Sequence, residues 1–374
     1  MYTAGFVRVL LINTIKGWGG GESWTEATAL GLGRRGHQVA VLAREGGPLL
    51  RRVQAAGVSA VAAPVHPLVQ LWARPALRRW VDRFGPEAVL AISGPDLRLL
   101  HLLAGPRTGR VFRRGLDRPL GRDPYHRRLL TRLEAIVVNS AATGRTLLAD
   151  LPDFPAERVH TIPNPVDPAR LRVPPGRDVR RELGIAPSTF LVAIVGRLVP
   201  QKGHALLLRA FKLLSPQIPD CALLVVGGGP LAGPIAVDAT RMEIAESCYF
   251  VGEQPAEAVP AYYAAADVVA VPSQFEGFCY AAVEAALLGK PVVATRVSSL
   301  PEVVRDGETG ILVHESPVEL AAALGGLALE PERAQRMGER GRVWAEAEFA
   351  PEPLHARLEA VLAEAARLRA ASAR

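Results

Sequence analysis

Short apolar runs separated by amphipathic stretches recur along the whole chain, and their spacing predicts strands alternating with helices. In the first half, residues 7–13, 39–43, 88–92, 110–112 and 135–139 read as strands, and residues 23–35 and 48–56 as helices. The second half repeats the rhythm. Residues 190–195, 222–226, 249–251, 268–271, 292–295 and 311–313 read as strands, and 204–214 as a helix. Alternation of this kind means parallel sheets covered by helices on both faces, so the fold class is α/β with two doubly wound domains. The proline-dense stretch from Ile162-Pro-Asn-Pro-Val-Asp-Pro168 to Pro174-Pro-Gly176 separates the halves, which places the domains at 1–168 and 169–352. Ligands of such sheets bind at the carboxyl ends of strands, so the loops leaving the strands, and the cleft between the domains, are where chemistry is expected.

The 374 residues, 49% of them hydrophobic, suffice for about two ordinary domains with sizeable cores. Three cysteines, Cys221, Cys248 and Cys279, share no metal-ligand spacing, and a sparse, odd count fits a reducing compartment. No apolar run nears the roughly 20 residues of a membrane span. Residues 7–12 are too short and interrupted for a signal peptide. The expected location is the cytoplasm. The net charge of +7 is uneven: residues 1–172 hold 25 Arg and Lys against 13 Asp and Glu, and the remainder 19 against 24. Arginine outnumbers lysine 40 to 4, a compositional bias that accounts for the choice of cation but not for the difference in sign. Doublets recur at Arg51-Arg52, Arg78-Arg79, Arg113-Arg114 and Arg127-Arg128. A basic first domain suits a phosphorylated acceptor or an anionic lipid surface, hence a peripheral place at the cytoplasmic face of the membrane. Nucleic acid is not expected, because no aromatic residues interleave a basic stripe.

Candidate chemistry concentrates in four loops. In Ser-Gln-Phe-Glu-Gly-Phe-Cys-Tyr-Ala-Ala-Val-Glu, Glu276 precedes a helix expected from about residue 278 and Glu284 lies inside it. The backbone N–H groups of Gly277, Phe278, Cys279 and Tyr280 make that helix start an anion site. Acids beside an anion site suit a ligand with both hydroxyls and phosphate; the plain alternative is a pair of helix-dipole and surface charges. Gly196-Arg-Leu-Val-Pro-Gln-Lys-Gly203 follows the first strand of its domain and offers Arg197 and Lys202 to a diphosphate, or to surface ion pairs. Gly227-Gly228-Gly229 ends the next strand. In the first domain, Lys16-Gly-Trp-Gly-Gly-Gly-Glu22 lets backbone approach a bulky group. It is not a dinucleotide fingerprint, since Glu22 stands where the third glycine belongs. The literal match at Gly31-Leu-Gly-Arg-Arg-Gly36 precedes a strand instead of following one. No metal-ligand cluster is visible.

These motifs, followed by Gly289-Lys-Pro-Val-Val-Ala-Thr295 and Pro301-Glu-Val-Val-Arg-Asp-Gly-Glu-Thr-Gly-Ile-Leu-Val313, occur in an order that resembles the retaining glycosyltransferases of family 4, whose fold is GT-B: two Rossmann-like domains facing each other across a cleft. The resemblance covers essentially the whole chain. It implies that Arg197 and Lys202 hold the donor diphosphate and stabilise the leaving group, that Glu276 binds sugar hydroxyls, and that Glu284 binds the ribose. It also implies donor contacts from Gly19, Gly20 and Gly21, from Gly196, Gly228 and Val251, and from Gly277, Phe278, Cys279 and Tyr280. The last helix, residues 353–374, would pack back on the first domain. The donor would be a UDP- or GDP-linked sugar, with no further cofactor and no metal, because cations and helix dipoles neutralise the diphosphate. The acceptor would be a glycan or lipid-linked hydroxyl of cell-envelope glycan or glycolipid synthesis.

Some positions depart from the family. Many members carry a histidine after a middle strand of the first domain, where Phe112-Arg-Arg-Gly115 stands here, so Arg113 or Arg114 would take its place beside the reacting sugar. His101, the nearest histidine, sits in an apolar helical stretch and reads as a core or surface residue. Cys279 and Tyr280 replace a glycine and a small aliphatic, and Ser298-Ser299 replace paired glycines. The expected activity is transfer of a sugar to an acceptor hydroxyl. A nicotinamide-dependent oxidoreductase, with Glu45 on a ribose, and a non-catalytic nucleotide-sugar binder are the rivals.

Overall fold

Every strand pairing among the described residues is parallel. The computed structural model describes residues 7–64, 67–121 and 123–372. It divides into two compact units, Met1–Pro165 with Pro351–Arg374, and Val166–Ala350. The first holds a seven-stranded sheet of order β3-β2-β1-β4-β5-β6-β7, from β1 (Arg8–Asn13), β2 (Gln38–Arg44), β3 (Ser59–Ala63), β4 (Ala88–Ala91), β5 (Gly109–Arg114), β6 (Ala135–Val138) and β7 (Val159–Thr161). The second holds a six-stranded sheet of order β10-β9-β8-β11-β12-β13, from β8 (Phe190–Val195), β9 (Cys221–Val226), β10 (Cys248–Gly252), β11 (Val268–Val271), β12 (Val292–Thr295) and β13 (Gly310–Val313). Both are doubly wound α/β sheets. The strand order turns back between β1 and β4 in one and between β8 and β11 in the other, and such reversals are where this architecture binds ligands.

The central strands are apolar along their whole length because helices cover both faces. All four residues of β4, β6, β11 and β12, and all six of β9, are buried. The edge strands β3 and β7 escape a reading of apolar runs: Ser-Ala-Val-Ala-Ala and Val-His-Thr carry little burial and gain their strand geometry from pairing with β2 and β6. The expected helix at 23–35 begins earlier, at Gly20, and the one expected from 278 begins at Tyr280.

The final helix, Pro351–Ser372, belongs to the first unit. Leu354, Leu358, Leu362 and Ala365 join Val9, Leu11, Trp24 and Leu32 in one buried cluster. Two glycines permit the approach. A Cβ on Gly109, at the start of β5, would lie 2.5 Å from the Ala365 carbonyl carbon, and one on Gly31 would lie 2.1 Å from the His355 ring. Glu359 anchors the helix by accepting from Arg35 Nε at 2.6 Å.

Gly109→Ala should therefore destabilise the protein by about 1–3 kcal/mol through overpacking against helix backbone. Gly33→Ala, on the helix Gly20–Arg34 where an added Cβ meets nothing within 4 Å, should be neutral or stabilising by up to about 1 kcal/mol. Thermal melts of the two variants check the contrast; equal melting temperatures would mean that the final helix is not seated on β5.

Candidate functional site

At the reversal in the second sheet, the loop leaving β8 and the loop leaving β11 are pinned together. β8 ends at Val195, and the chain passes through Gly196 and Arg197 into a 3-10 turn, Pro200–Lys202, before the helix His204–Leu214. β11 ends at Val271 and leads through Ser273 and Glu276 to the helix Tyr280–Leu287. Gln201 bridges the two: its carbonyl accepts from Gln274 N at 2.9 Å, and its Nε2 donates to the Phe275 carbonyl at 3.0 Å. Gly203, at φ +71°, makes the closest approach, since a Cβ there would fall 1.8 Å from the Pro272 oxygen. The third loop, Gly227–Gly229 after β9, is tied in as Leu198 N donates to the Gly228 carbonyl at 2.8 Å.

This arrangement brings two of the expected site residues into contact. Lys202 Nζ donates to Glu276 Oε1 at 2.6 Å, and Ser273 Oγ donates to the same oxygen at 2.8 Å. Glu276 is buried, 4% exposed, and among the described residues no donor reaches its Oε2. Burial works against the charge on Lys202, but the Glu276 charge and the hydrogen bond to it hold its pKa above the ordinary value. Arg197 is exposed and engages no carboxylate among the described residues. The pair of cations thus divides into one committed to an internal acid and one open to solvent.

Around this pair, Cys279 is buried and its thiol is pushed up to about 12, chiefly by burial, so it is a neutral packing group. The Phe278 side chain packs edge-on against Tyr280 and Phe349, at ring distances of 5.2 and 5.5 Å, so it is engaged in the core of its unit. Val251 lies on β10 and its carbonyl accepts from Gln254 Nε2 at 2.6 Å. Glu284 is half-buried one turn into its helix, where the Tyr263 hydroxyl donates to Oε2 at 3.0 Å. Ser298, where the family more often has glycine, takes φ +47°, a left-handed backbone that costs a non-glycine residue energy.

Three residues that the motifs did not single out complete this constellation. Ser273 and Tyr263 hold the two glutamates. His204 is buried beside Lys202, with Gly196, Pro272 and Ser273 lining the same small hollow. Burial and then the Lys202 charge depress its pKa to about 4, so it is neutral. Ser273 stands three residues before Glu276, close enough to flag; Tyr263 lies in an apolar helix with no signal of its own.

In the first unit, the glycine loop after β1 opens the helix Gly20–Arg34, with Gly19 as an extended N-cap and Gly20 and Gly21 in the first turn. A Cβ on Gly17 would meet nothing within 4 Å, and one on Gly21 only Ile15 and Ile92 side chains at ordinary contact. These glycines leave open space in front of the helix start. β5 runs through both members of its arginine doublet, so they point to opposite faces. Arg113 is buried over the Trp24 ring at 4.3 Å and donates to Asn164 Oδ1 at 2.7 Å. Arg114 lies on the other face, where its guanidinium donates to the Arg118 carbonyl. Burial lowers its pKa against the nearby charges of Asp150 and Asp117. His101 Nε2 sits 2.9 Å from the Leu129 carbonyl, away from these groups.

Among the described residues no group of three His, Cys, Asp or Glu is gathered as for a metal, and no helix is long and apolar enough to cross a membrane. Residues 177–344 match the family model described as Glycosyl transferases group 1, and residues 18–170 that described as Glycosyltransferase Family 4. The chain is 35% identical over 255 residues to a D-inositol 3-phosphate glycosyltransferase of Nocardia farcinica, a match covering 66% of this chain and 56% of that protein. It is 35% identical over 276 residues to a GDP-mannose-dependent alpha-(1-6)-phosphatidylinositol monomannoside mannosyltransferase of Mycolicibacterium smegmatis, covering 70% of each. Among solved structures, Anabaena Alr3699/HepE in complex with UDP and glucose shares the fold with a TM-score of 0.79 at 21% identity, over 94% of this chain and 98% of that one. With two doubly wound units of the GT-B type, each half matched by its own model, the chain belongs to the family 4, group 1 glycosyltransferases.

Proposed function

We propose that this protein transfers a sugar from a nucleotide-sugar donor to an acceptor hydroxyl, with retention of configuration and without a metal ion. The observation that carries the reading is the Lys202–Glu276–Ser273 contact at the β8/β11 reversal, with Arg197 exposed beside it. A phosphate-binding cation and a hydroxyl-binding carboxylate lie within one hydrogen bond, which matches a ligand whose phosphate and sugar are joined. Arg197 and Lys202 take the diphosphate and offset the charge that grows as it leaves. The free Oε2 of Glu276 accepts sugar hydroxyls, and Glu284 accepts a ribose hydroxyl. Arg114 and the glycines 19–21 supply the first unit's contacts. Nothing favours the nicotinamide reading, since Glu22 occupies the first turn of the helix where the third glycine would be.

The names of the relatives support an acceptor of the inositol phosphate or phosphoinositide glycolipid kind. Such an acceptor pairs a phosphate with several hydroxyls and suits the excess of 25 basic over 13 acidic residues in positions 1–172. A hexose or a heptose fits the same set, the donor nucleoside being uridine or guanosine. With a lipid acceptor, the protein works at the cytoplasmic face of the membrane.

Arg197→Ala should weaken nucleoside diphosphate binding by about 1.5–3 kcal/mol, the worth of a charged hydrogen bond, without changing the melting temperature. Lys202→Ala should weaken that binding and also lower the melting temperature, because breaking a buried pair leaves Glu276 without its counter-charge, at a cost of about 3 kcal/mol or more. Calorimetry with UDP and GDP, run beside thermal melts, checks this; unchanged affinity in both variants removes the phosphate assignment.

Glu276→Gln should depress turnover strongly while diphosphate affinity stays level or rises, since Lys202 is released to the phosphate. Glu284→Gln should weaken diphosphate binding itself. If the pair were only helix-end charges, each change would cost about 0.3–1 kcal/mol of stability and leave function alone. Turnover and affinity measured on both variants decide.

Turnover should persist in excess EDTA, because Arg197 and Lys202 supply the positive charge. Activity lost to the chelator and restored by magnesium or manganese would overturn the leaving-group assignment.

A further inference from the structure

Glu284 is held in a different way from Glu276. No cation pairs with it among the described residues; its single partner is Tyr263, on the helix Val259–Ala265. Tyr263 is wholly buried, 0% exposed, in the cluster that includes Leu191, Val269 and Ala282. Phenylalanine would fill the same space. All that tyrosine adds is a hydroxyl, whose burial costs free energy unless it is bonded, and the one bond it makes is to Glu284 Oε2. No donor among the described residues reaches Oε1.

We propose that Tyr263 is a positioning residue for nucleotide recognition: its hydroxyl fixes the Glu284 carboxylate through Oε2 and leaves Oε1 to accept a ribose hydroxyl. This rests on the reading above, that Glu284 meets the nucleoside.

The electrostatics give the arrangement a readable signature. Burial raises Glu284 to about 7, while the Tyr263 hydrogen bond and the Lys202 charge pull it down. Tyr263 itself is raised well above the ordinary phenol value, by burial first and then by the Glu284 charge, so it stays a donor. The Cys279 thiol on the same helix start is neutral. β11 and β12, beneath the helix Tyr280–Leu287, present only apolar residues and Thr295. The helix Pro331–Glu348 approaches with Gly341, and the turn Pro168–Leu171 carries the exposed Arg170. An acid that must be ionised to accept both bonds makes nucleotide binding strengthen as pH rises through about 7. Removing the Tyr263 hydroxyl takes away a bond that favours the ionised form, so the midpoint should move to higher pH.

The test is UDP and GDP affinity by calorimetry at pH 6 to 9 for the wild type, Tyr263→Phe and Glu284→Gln, with melting temperatures alongside. Glu284→Gln keeps the titration of the diphosphate itself and so provides the baseline. The wild type should show one added ionisation near neutrality. Tyr263→Phe should bind about tenfold more weakly at pH 7 and within about twofold of wild type at pH 9. A Tyr263→Phe loss of the same size at every pH marks a merely structural residue and overturns the proposal, as does a profile that coincides with wild type. Should Tyr263→Phe not fold, a wild-type profile identical in shape to that of Glu284→Gln overturns it independently. If Glu284→Gln binds as wild type does, the nucleoside role of Glu284 fails and the proposal falls with it; if Glu284→Gln is weak and only the Tyr263 result fails, the role of Glu284 stands.

Discussion

The site in the second unit exists because position 203 has no side chain. With any Cβ there, the chain leaving β8 would collide with the Pro272 carbonyl at 1.8 Å, and no rotamer change relieves a backbone contact. Seating that glycine against Pro272 places Lys202, its neighbour, within 2.6 Å of Glu276. The same contact lets Gln201 pair with Gln274 and Phe275. A second steric constraint supports the first: Gly227, at φ +142°, lies against Gly196, where a Cβ would stand 1.9 Å from the carbonyl oxygen. Three successive strand ends are thereby locked into one surface, and the charged groups are positioned by rigid backbone instead of by flexible loops.

The glycines of the two units therefore serve different ends. Those at 203, 227 and 229 are demanded by the protein's own packing. Those at 17 and 21 are not, since an added Cβ would meet open space or ordinary contacts. Under the proposed reading, a glycine that the fold does not need, near the start of a helix behind the first strand, would keep room for a ligand. Sequence alone treats both sets as close-approach glycines; only the surroundings tell which approach is internal.

What could be read before the structure divides along the same line. Parallel doubly wound sheets follow from continuous apolar runs such as Ala-Leu-Leu-Val-Val in β9; Arg197, Lys202 and Glu276 stand out by their place in loops that leave strands, and Glu284 by its place in the helix that follows. The pairing of Lys202 with Glu276 does not, because 74 residues separate them and their contact depends on the β8/β11 adjacency. Ser273 has only its spacing from Glu276 as a signal, and Tyr263 is masked by its apolar helix. The direction of Arg113 and Arg114 needs the register of β5, which a strand expected only over 110–112 leaves short of both. Once β5 is seen to run to Arg114, alternation sends one arginine to Trp24 and the other to the opposite face.

The basic first half changes meaning in the same way. Of the doubled arginines, Arg51 donates to the Gly46 carbonyl, Arg52 forks onto the buried Glu26, Arg78 bridges to Asp82, and Arg79 reaches the Pro75 carbonyl. Arg113 is stacked on Trp24, Arg114 donates to Arg118, and Arg127 stands 3.9 Å from Asp150. Most of the doublets are thus engaged in fastening loops and helix ends, a use that exploits the five donors of a guanidinium as much as its charge. Under the proposed reading, attraction to an anionic acceptor would then come from the summed field of the unit. A summed field is screened within about 8–10 Å at physiological salt, so it would guide encounter with an anionic partner without selecting the acceptor. Selection would be left to groups that touch the acceptor directly, and under the proposed reading the start of the helix Gly20–Arg34, where a Cβ on Gly17 would meet nothing within 4 Å, is where the first unit has room for such a contact.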